Sequence, residues 1–129
     1  MANKQISKED IKKTVLLVDD HNYSLIVLRK MIEKSGIKVI SVQNGLDAIK
    51  VCQEKDVDLV LMDIKMPVMD GYNAMTQIKK LKPEMKIIAE TAYALFGDRT
   101  KILEAGFDDY LPKPISRESL DEILNKYLK

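Results

Sequence analysis

The chain has 129 residues, 46% hydrophobic and 32% charged, which is the balance of one soluble globular domain with one core rather than of a disordered segment. Lys and Arg number 21 against 20 Asp and Glu, for a net charge of +1, without the basic excess on one face that marks a nucleic-acid binder. The apolar runs fall far short of the ~20 residues that cross a bilayer, the N-terminus is polar rather than signal-like, and the one cysteine, Cys52, has no internal disulfide partner, which suits a reducing cytoplasm.

Residues 1–12 read as a linker or an artificial N-terminal extension, and 13–129 as the domain. Thr14-Val15-Leu16-Leu17-Val18 is a short β-branched run ending in Asp19-Asp20, the pattern of a strand covered on both faces. Leu25, Leu28, Met31 and Ile32 recur at helical spacing, and Gly36 closes that helix. Ile37 to Val42 form a second strand, Asn44-Gly45 a turn, and Leu46, Ile49 and Cys52 one side of a short helix. Leu59 to Met62 make the third strand, which runs into Asp63 and a loop punctuated by Pro67 and Gly71.

Tyr72, Met75 and Ile78 stripe the next helix, which ends near Pro83, and Lys86-Ile87-Ile88-Ala89 begins a fourth strand. A weaker helix spans roughly Asp98 to Ala105 and stops at Gly106, and Asp109-Tyr110-Leu111 is a short fifth strand. The last helix opens with Ser116 as N-cap and Glu118 in its first turn, and its apolar face is Leu120, Ile123, Leu124, Tyr127 and Leu128. Strict alternation of five strands and helices predicts an α/β fold. Its parallel sheet has helices on both faces, with the flavodoxin-like strand order 2-1-3-4-5.

In such a sheet the site lies outside the carboxyl ends of the strands. The sequence puts Asp19, Asp20, Asp63, Thr91 and Lys113 there. Each has an ordinary alternative: Asp20 or Asp63 as a cap, Thr91 as a strand residue, Lys113 as a solvated charge. Jointly they are harder to dismiss, because two carboxylates ~4 Å apart repel by roughly 4 kcal/mol at an effective dielectric of 20. A cation must offset that cost. Hard carboxylate oxygens without His or Cys select Mg²⁺ or a similar ion such as Mn²⁺. A divalent ion, an ammonium and a hydroxyl around one free carboxylate suit phosphoryl transfer to that carboxylate.

Val18-Asp19-Asp20, Leu61-Met62-Asp63-Ile64-Lys65-Met66-Pro67-Val68-Met69-Asp70-Gly71, Thr91-Ala92, Ala105-Gly106-Phe107-Asp108-Asp109-Tyr110 and Lys113-Pro114 closely resemble the receiver domains of two-component response regulators. The resemblance implies that Asp63 accepts phosphate from a histidine kinase, and that Asp20, Asp19 (largely through water) and the Lys65 carbonyl hold Mg²⁺. It also implies that Thr91 contacts the phosphoryl group, that Lys113 pairs with it, that the Lys113-Pro114 bond is cis, and that Tyr110 is the aromatic switch. For Tyr110, plain packing at a strand edge is the alternative.

Glu90-Thr91-Ala92-Tyr93-Ala94 and Asp108 to Ile115 resemble receivers of hybrid sensor kinases most, so a receiver cut from a longer protein is favoured over a free-standing regulator. The implied partners are a sensor histidine kinase and a histidine phosphotransfer protein, with no direct nucleic-acid or membrane contact, for a cytoplasmic monomer or weak homodimer.

His21, the one histidine, is expected to be an exposed loop residue, and the direction in which Glu90 faces is left open. A haloacid-dehalogenase-like enzyme needs a second Asp two residues after the nucleophile, where Lys65 stands. A flavodoxin-like carrier would set its flavin phosphate against Asp19-Asp20-His21-Asn22, which repels it. Lys65 and Tyr93 lie two residues after Asp63 and Thr91, positions that flank the phosphoryl group in the resembling family. Bulky Tyr93 is expected to hinder an attacking water, so the phosphorylated form should hydrolyse slowly. Tyr93→Ala should shorten its lifetime in a phosphate-release assay; an unchanged rate removes this role.

Overall fold

The computed structural model describes residues 12–92, 94 and 97–128. The chain runs β1 (Thr14–Val18), α1 (Asn22–Glu33), β2 (Lys38–Val42), α2 (Gly45–Glu54), β3 (Leu59–Asp63), α3 (Gly71–Leu81), β4 (Ile87–Thr91), α4 (Asp98–Ala105), β5 (Asp109–Pro112) and α5 (Arg117–Leu128). The strands form one sheet in the order β2-β1-β3-β4-β5, with every neighbouring pair parallel. This is the expected flavodoxin-like arrangement. Residues 1–11, most of the expected extension, lie outside the described residues, as does Tyr93.

The apolar runs are continuous because alternate residues enter two separate cores. Leu16, Val18, Val60, Met62, Ile87 and Ala89 face α2, α3 and α4, where Cys52, Met75, Ile78 and Ile102 meet them. Val15, Leu17, Leu59, Leu61 and Ile88 face α1 and α5, against Leu28, Ile32, Leu120 and Leu124. Period two along each strand therefore serves both layers, and each fully buried Leu or Ile contributes about 1.5–3 kcal/mol.

The helix ends follow local chemistry. Asn44 Oδ1 accepts from Asp47 N at 2.8 Å, Asp70 Oδ1 from Asn73 N at 2.9 Å, and Ser116 Oγ from Ser119 N at 3.0 Å, as expected of caps. Helix α1 ends three residues before Gly36, whose φ of +80° serves the turn into β2. Leu46 differs from expectation, being largely exposed. Gly45, Ala48 and Cys52 form the buried face of α2 instead, because a Cβ on Gly45 would lie 3.0 Å from Ala74 Cβ of α3. That close approach selects small residues and rotates Leu46 outward.

Gly71 brings α3 against the end of β3. Its N–H donates to Ile64 O at 3.1 Å, and a Cβ there would stand 2.5 Å from the Asp63 carbonyl oxygen and 2.6 Å from Ile64 Cα. Backbone atoms cannot yield as a side chain can. Gly71→Ala should therefore destabilise the domain by about 1–3 kcal/mol, read as a lower urea midpoint. A midpoint equal to that of the parent would contradict this packing.

Candidate functional site

The carboxyl ends of β1, β3, β4 and β5 bring Asp19, Asp63, Thr91 and Lys113 to one edge of the sheet. Asp63 is only 4% exposed. Its Oδ1 accepts from the Lys65 backbone N–H at 3.0 Å, and its Oδ2 meets Lys113 Nζ at 3.1 Å. The Lys65 side chain itself is exposed. Asp19 is 1% exposed; its Oδ1 accepts from His21 N at 2.8 Å, and its Oδ2 lies 4.0 Å from Lys113 Nζ. The loops after β1 and β3 thus each give a backbone donor to the acid that precedes them, which holds Asp19 and Asp63 in place.

Asp20 does not cap α1. The N-cap is His21, extended in conformation and without a side-chain hydrogen bond to the helix. One oxygen from each of Asp19, Asp20 and Asp63 and one His21 ring nitrogen lie within 4.8 Å of one another. Among the described residues, Asp19 Oδ2 and Asp20 Oδ1 are buried with no hydrogen-bond partner, although His21 Nδ1 stands 3.2 Å from the latter. Orphaned carboxylate oxygens converging on one point fit a hard divalent cation. The His21 ring is 72% exposed, as its loop position suggested, and an imidazole suits such a cation less well than oxygen does.

Thr91 is buried, and its Oγ1 donates to Asp98 Oδ2 of α4 at 2.9 Å. Tyr110 is half-buried, with the Arg99 guanidinium 5.3 Å from its ring centroid. The Lys113-Pro114 bond is cis. Within the loop after β3, Val68 holds φ +71° at an almost fully exposed position, a left-handed conformation that costs an L-residue roughly 1–2 kcal/mol. The sequence offers no warning of it, since β-branched residues avoid that region.

Glu90 is the residue that sequence reasoning left without a direction. It is 1% exposed, and neither carboxylate oxygen has a hydrogen-bond partner among the described residues. Strand parity could have found it: Ile88 faces α1 and α5, and Glu90 two residues later shares that side. It lines a cavity of about 220 Å³ together with Asp19, Val27, Met31, Lys113 and Ile115. Burial, reinforced by Asp19 and then Asp63 and opposed by Lys113, pushes its carboxyl up to about 8. Burial likewise raises Asp19, against the opposing His21 N–H and Lys113. Burial works to lower Lys113, but Asp63, by charge and hydrogen bond, with Asp19 and Glu90, lifts it above the usual lysine range. Lys113 therefore stays charged, while Asp19 and Glu90 resist losing their protons.

A family model for the response regulator receiver domain matches residues 15–125. Among curated relatives, the sensor histidine kinase GacS of Pseudomonas protegens is 37% identical over 118 residues, covering 88% of this chain and 13% of GacS. The polar-differentiation response regulator DivK of Brucella anthropi is 36% identical over 119 residues, covering 90% of this chain and 96% of DivK. The chain thus spans a small part of the first relative and nearly all of the second.

Among solved structures, the receiver domain of sensor histidine kinase PA1611 from Pseudomonas aeruginosa, with magnesium in its active-site cleft, superposes at a TM-score of 0.84. It is 37% identical, covering 91% of this chain and 98% of that one. The co-crystal structure of the Saccharomyces cerevisiae histidine phosphotransfer protein Ypd1 with the receiver domain of Ssk1 gives a TM-score of 0.84. Identity there is 27%, covering 90% of this chain and 88% of that one.

The native Glu90 carboxyl keeps its proton to about pH 8, whereas the unfolded one ionises near 4.5. The native state therefore binds the extra proton between those values, and stability must fall as pH rises through that window. The loss should be on the order of a few kcal/mol. Glu90→Gln should flatten that fall in metal-free urea titrations from pH 5 to 8. An identical slope in parent and variant would show that Glu90 is not the group responsible.

Proposed function

The chain belongs to the response regulator receiver domain family, and on that premise we propose that it is a Mg²⁺-dependent phosphoacceptor of a two-component relay in which Asp63 receives the phosphoryl group. One observation carries this reading. Asp63 is a buried carboxylate braced by the Lys65 N–H and Lys113, beside two buried acid oxygens without a hydrogen-bond partner among the described residues. Such a carboxylate, next to an ammonium and to acid oxygens that suit a cation, supports the role of nucleophile.

Asp19, Asp20, Asp63 and the Lys65 carbonyl are the proposed Mg²⁺ ligands, with Mn²⁺ as a substitute; these donors accord with the magnesium in the PA1611 receiver. The bound ion would neutralise charge on the phosphoryl oxygens as the transfer proceeds. An Asp63 oxygen forms the bond to phosphorus while the P–N bond of a phosphohistidine breaks, and the imidazole nitrogen keeps the electron pair and takes up a proton. Lys113, held charged by its acidic neighbours, balances the acyl phosphate. The Thr91 hydroxyl donates to a phosphoryl oxygen, and Tyr110 follows it inward. Self-catalysed phosphorylation and dephosphorylation belong to the same proposal. Lys65 and Tyr93 flank the phosphoryl group in it.

The proposed donor is a sensor histidine kinase, and a histidine phosphotransfer protein is a further partner, in line with the Ypd1 co-crystal structure. A receiver within a hybrid sensor kinase is the favoured context, supported by its match to a small part of GacS; the match to nearly all of DivK supports a free-standing regulator as the second reading. Among the described residues no helix is long and apolar enough to cross a membrane. The proposed location is the cytoplasm, as a monomer or weak homodimer without nucleic-acid contact.

Incubation with Mg²⁺ and acetyl phosphate should add one phosphoryl group by intact mass. Asp63→Asn should abolish it. Well-folded parent protein that gains no mass would overturn the proposal.

A further inference from the structure

We propose that Asp98 is a positioning residue that holds the Thr91 hydroxyl away from Asp63 until phosphorylation, and that the first turn of α4 acts with it as a latch on the switch residues. The inference rests on the proposed contact between Thr91 and the phosphoryl group, and it deepens that reading by naming what opposes the contact.

A hydroxyl has one proton to donate. Thr91 Oγ1 directs it to Asp98 Oδ2 at 2.9 Å, so the same proton cannot serve a phosphoryl oxygen on Asp63. Strand parity explains the direction. Ile87 and Ala89 of β4 face the α2–α4 layer, and Thr91 follows them at period two toward α4. Asp98 is put in reach by Gly97, whose φ of +91° turns the chain sharply into the helix and whose missing side chain leaves α4 without a side-chain cap. As the first residue of α4, the Asp98 carboxylate is also favoured by the helix dipole. It is a carboxylate acceptor fixed at the start of a helix.

The grip extends along the same turn. Arg99 lies over the Tyr110 ring at 5.3 Å, and Lys101 over the Tyr72 ring at 5.1 Å, while Tyr72 packs edge-on against Phe107 at 5.6 Å. Three successive contacts from one helical turn thus hold Thr91, Tyr110 and Tyr72. Releasing Thr91 toward Asp63 breaks the first contact, and movement of Tyr110 breaks the second. The α4 turn and the phosphoryl group therefore compete for the same two residues, which couples the site to the α4 surface.

Asp98→Ala and Asp98→Asn test this, alone and combined with Thr91→Ala. Without metal or donor, Asp98→Ala should shift the Thr91 methyl and Tyr110 ring NMR signals. With Mg²⁺ and acetyl phosphate it should speed phosphorylation on the order of tenfold, the loss of one hydrogen bond to a charged acceptor. Asp98→Asn, which keeps an acceptor of the same shape, should fall between, and it tests the same contact should Asp98→Ala not fold. In the Thr91→Ala background neither change should alter the rate. Unchanged Thr91 signals in folded Asp98 variants, or equal acceleration without the Thr91 hydroxyl, would overturn the latch. If the parent chain gains no phosphoryl group, the proposed function fails on its own, and the metal-free NMR comparison still decides the contact.

Discussion

Three buried carboxylates, Asp19, Asp63 and Glu90, gather around one ammonium, Lys113, at the carboxyl edge of the sheet. Burial denies them the water that would screen their repulsion, so the site must find compensation from within. It does so in three ways. Backbone N–H groups of His21 and Lys65 are spent on Asp19 and Asp63; Lys113 is kept charged; Glu90 is pushed toward its neutral form. Asp19 Oδ2 and Asp20 Oδ1, which find no hydrogen-bond partner among the described residues, are where an added cation would bring most. Marginal compensation of this kind is poor for stability and good for a site that must respond to a doubly charged ligand.

The two-sided sheet is what makes such crowding tolerable. Its strands are buried on both faces by two independent cores, and that apolar packing outweighs a local electrostatic penalty of a few kcal/mol. Acids farther from the site are treated quite differently. Asp108 accepts from Lys79 Nζ at 2.7 Å and from Ile87 N at 2.8 Å, which ties the end of α3 to the start of β4. Asp109 receives Lys126 at 3.2 Å and the Tyr127 hydroxyl at 2.9 Å, which fastens α5 beside β5. These carboxylates are fully partnered and structural. Contrast with them is what separates the acids at the sheet edge.

Between these extremes lies the turn from β4 into α4. Thr91, Tyr110 and Tyr72 are each held by a charged residue of the first α4 turn, and contacts of this strength are easily exchanged. A latch built from one hydrogen bond and two ring contacts can be opened by a phosphoryl group without unfolding its surroundings. The cores that anchor β3 and β4 do not depend on these edge contacts.

Much of this was legible in the sequence, for a local reason. Strand and helix periods, Gly and Pro punctuation and caps such as Ser116 are properties of neighbours along the chain, so the alternating units, the sheet order and the residues at its edge could be read directly. Residues whose fate depends on partners distant in sequence could not. Leu46 turned outward because α2 and α3 approach at Gly45 and Ala74. The proton of Thr91 went to Asp98, seven residues on at the start of α4. The sequence by itself determined the fold and which chemical groups meet at its edge, because periodicity and topology need only the order of residues. Tertiary structure alone decided the protonation of Glu90 and the partner of Thr91, because burial and hydrogen bonding belong to the space between elements.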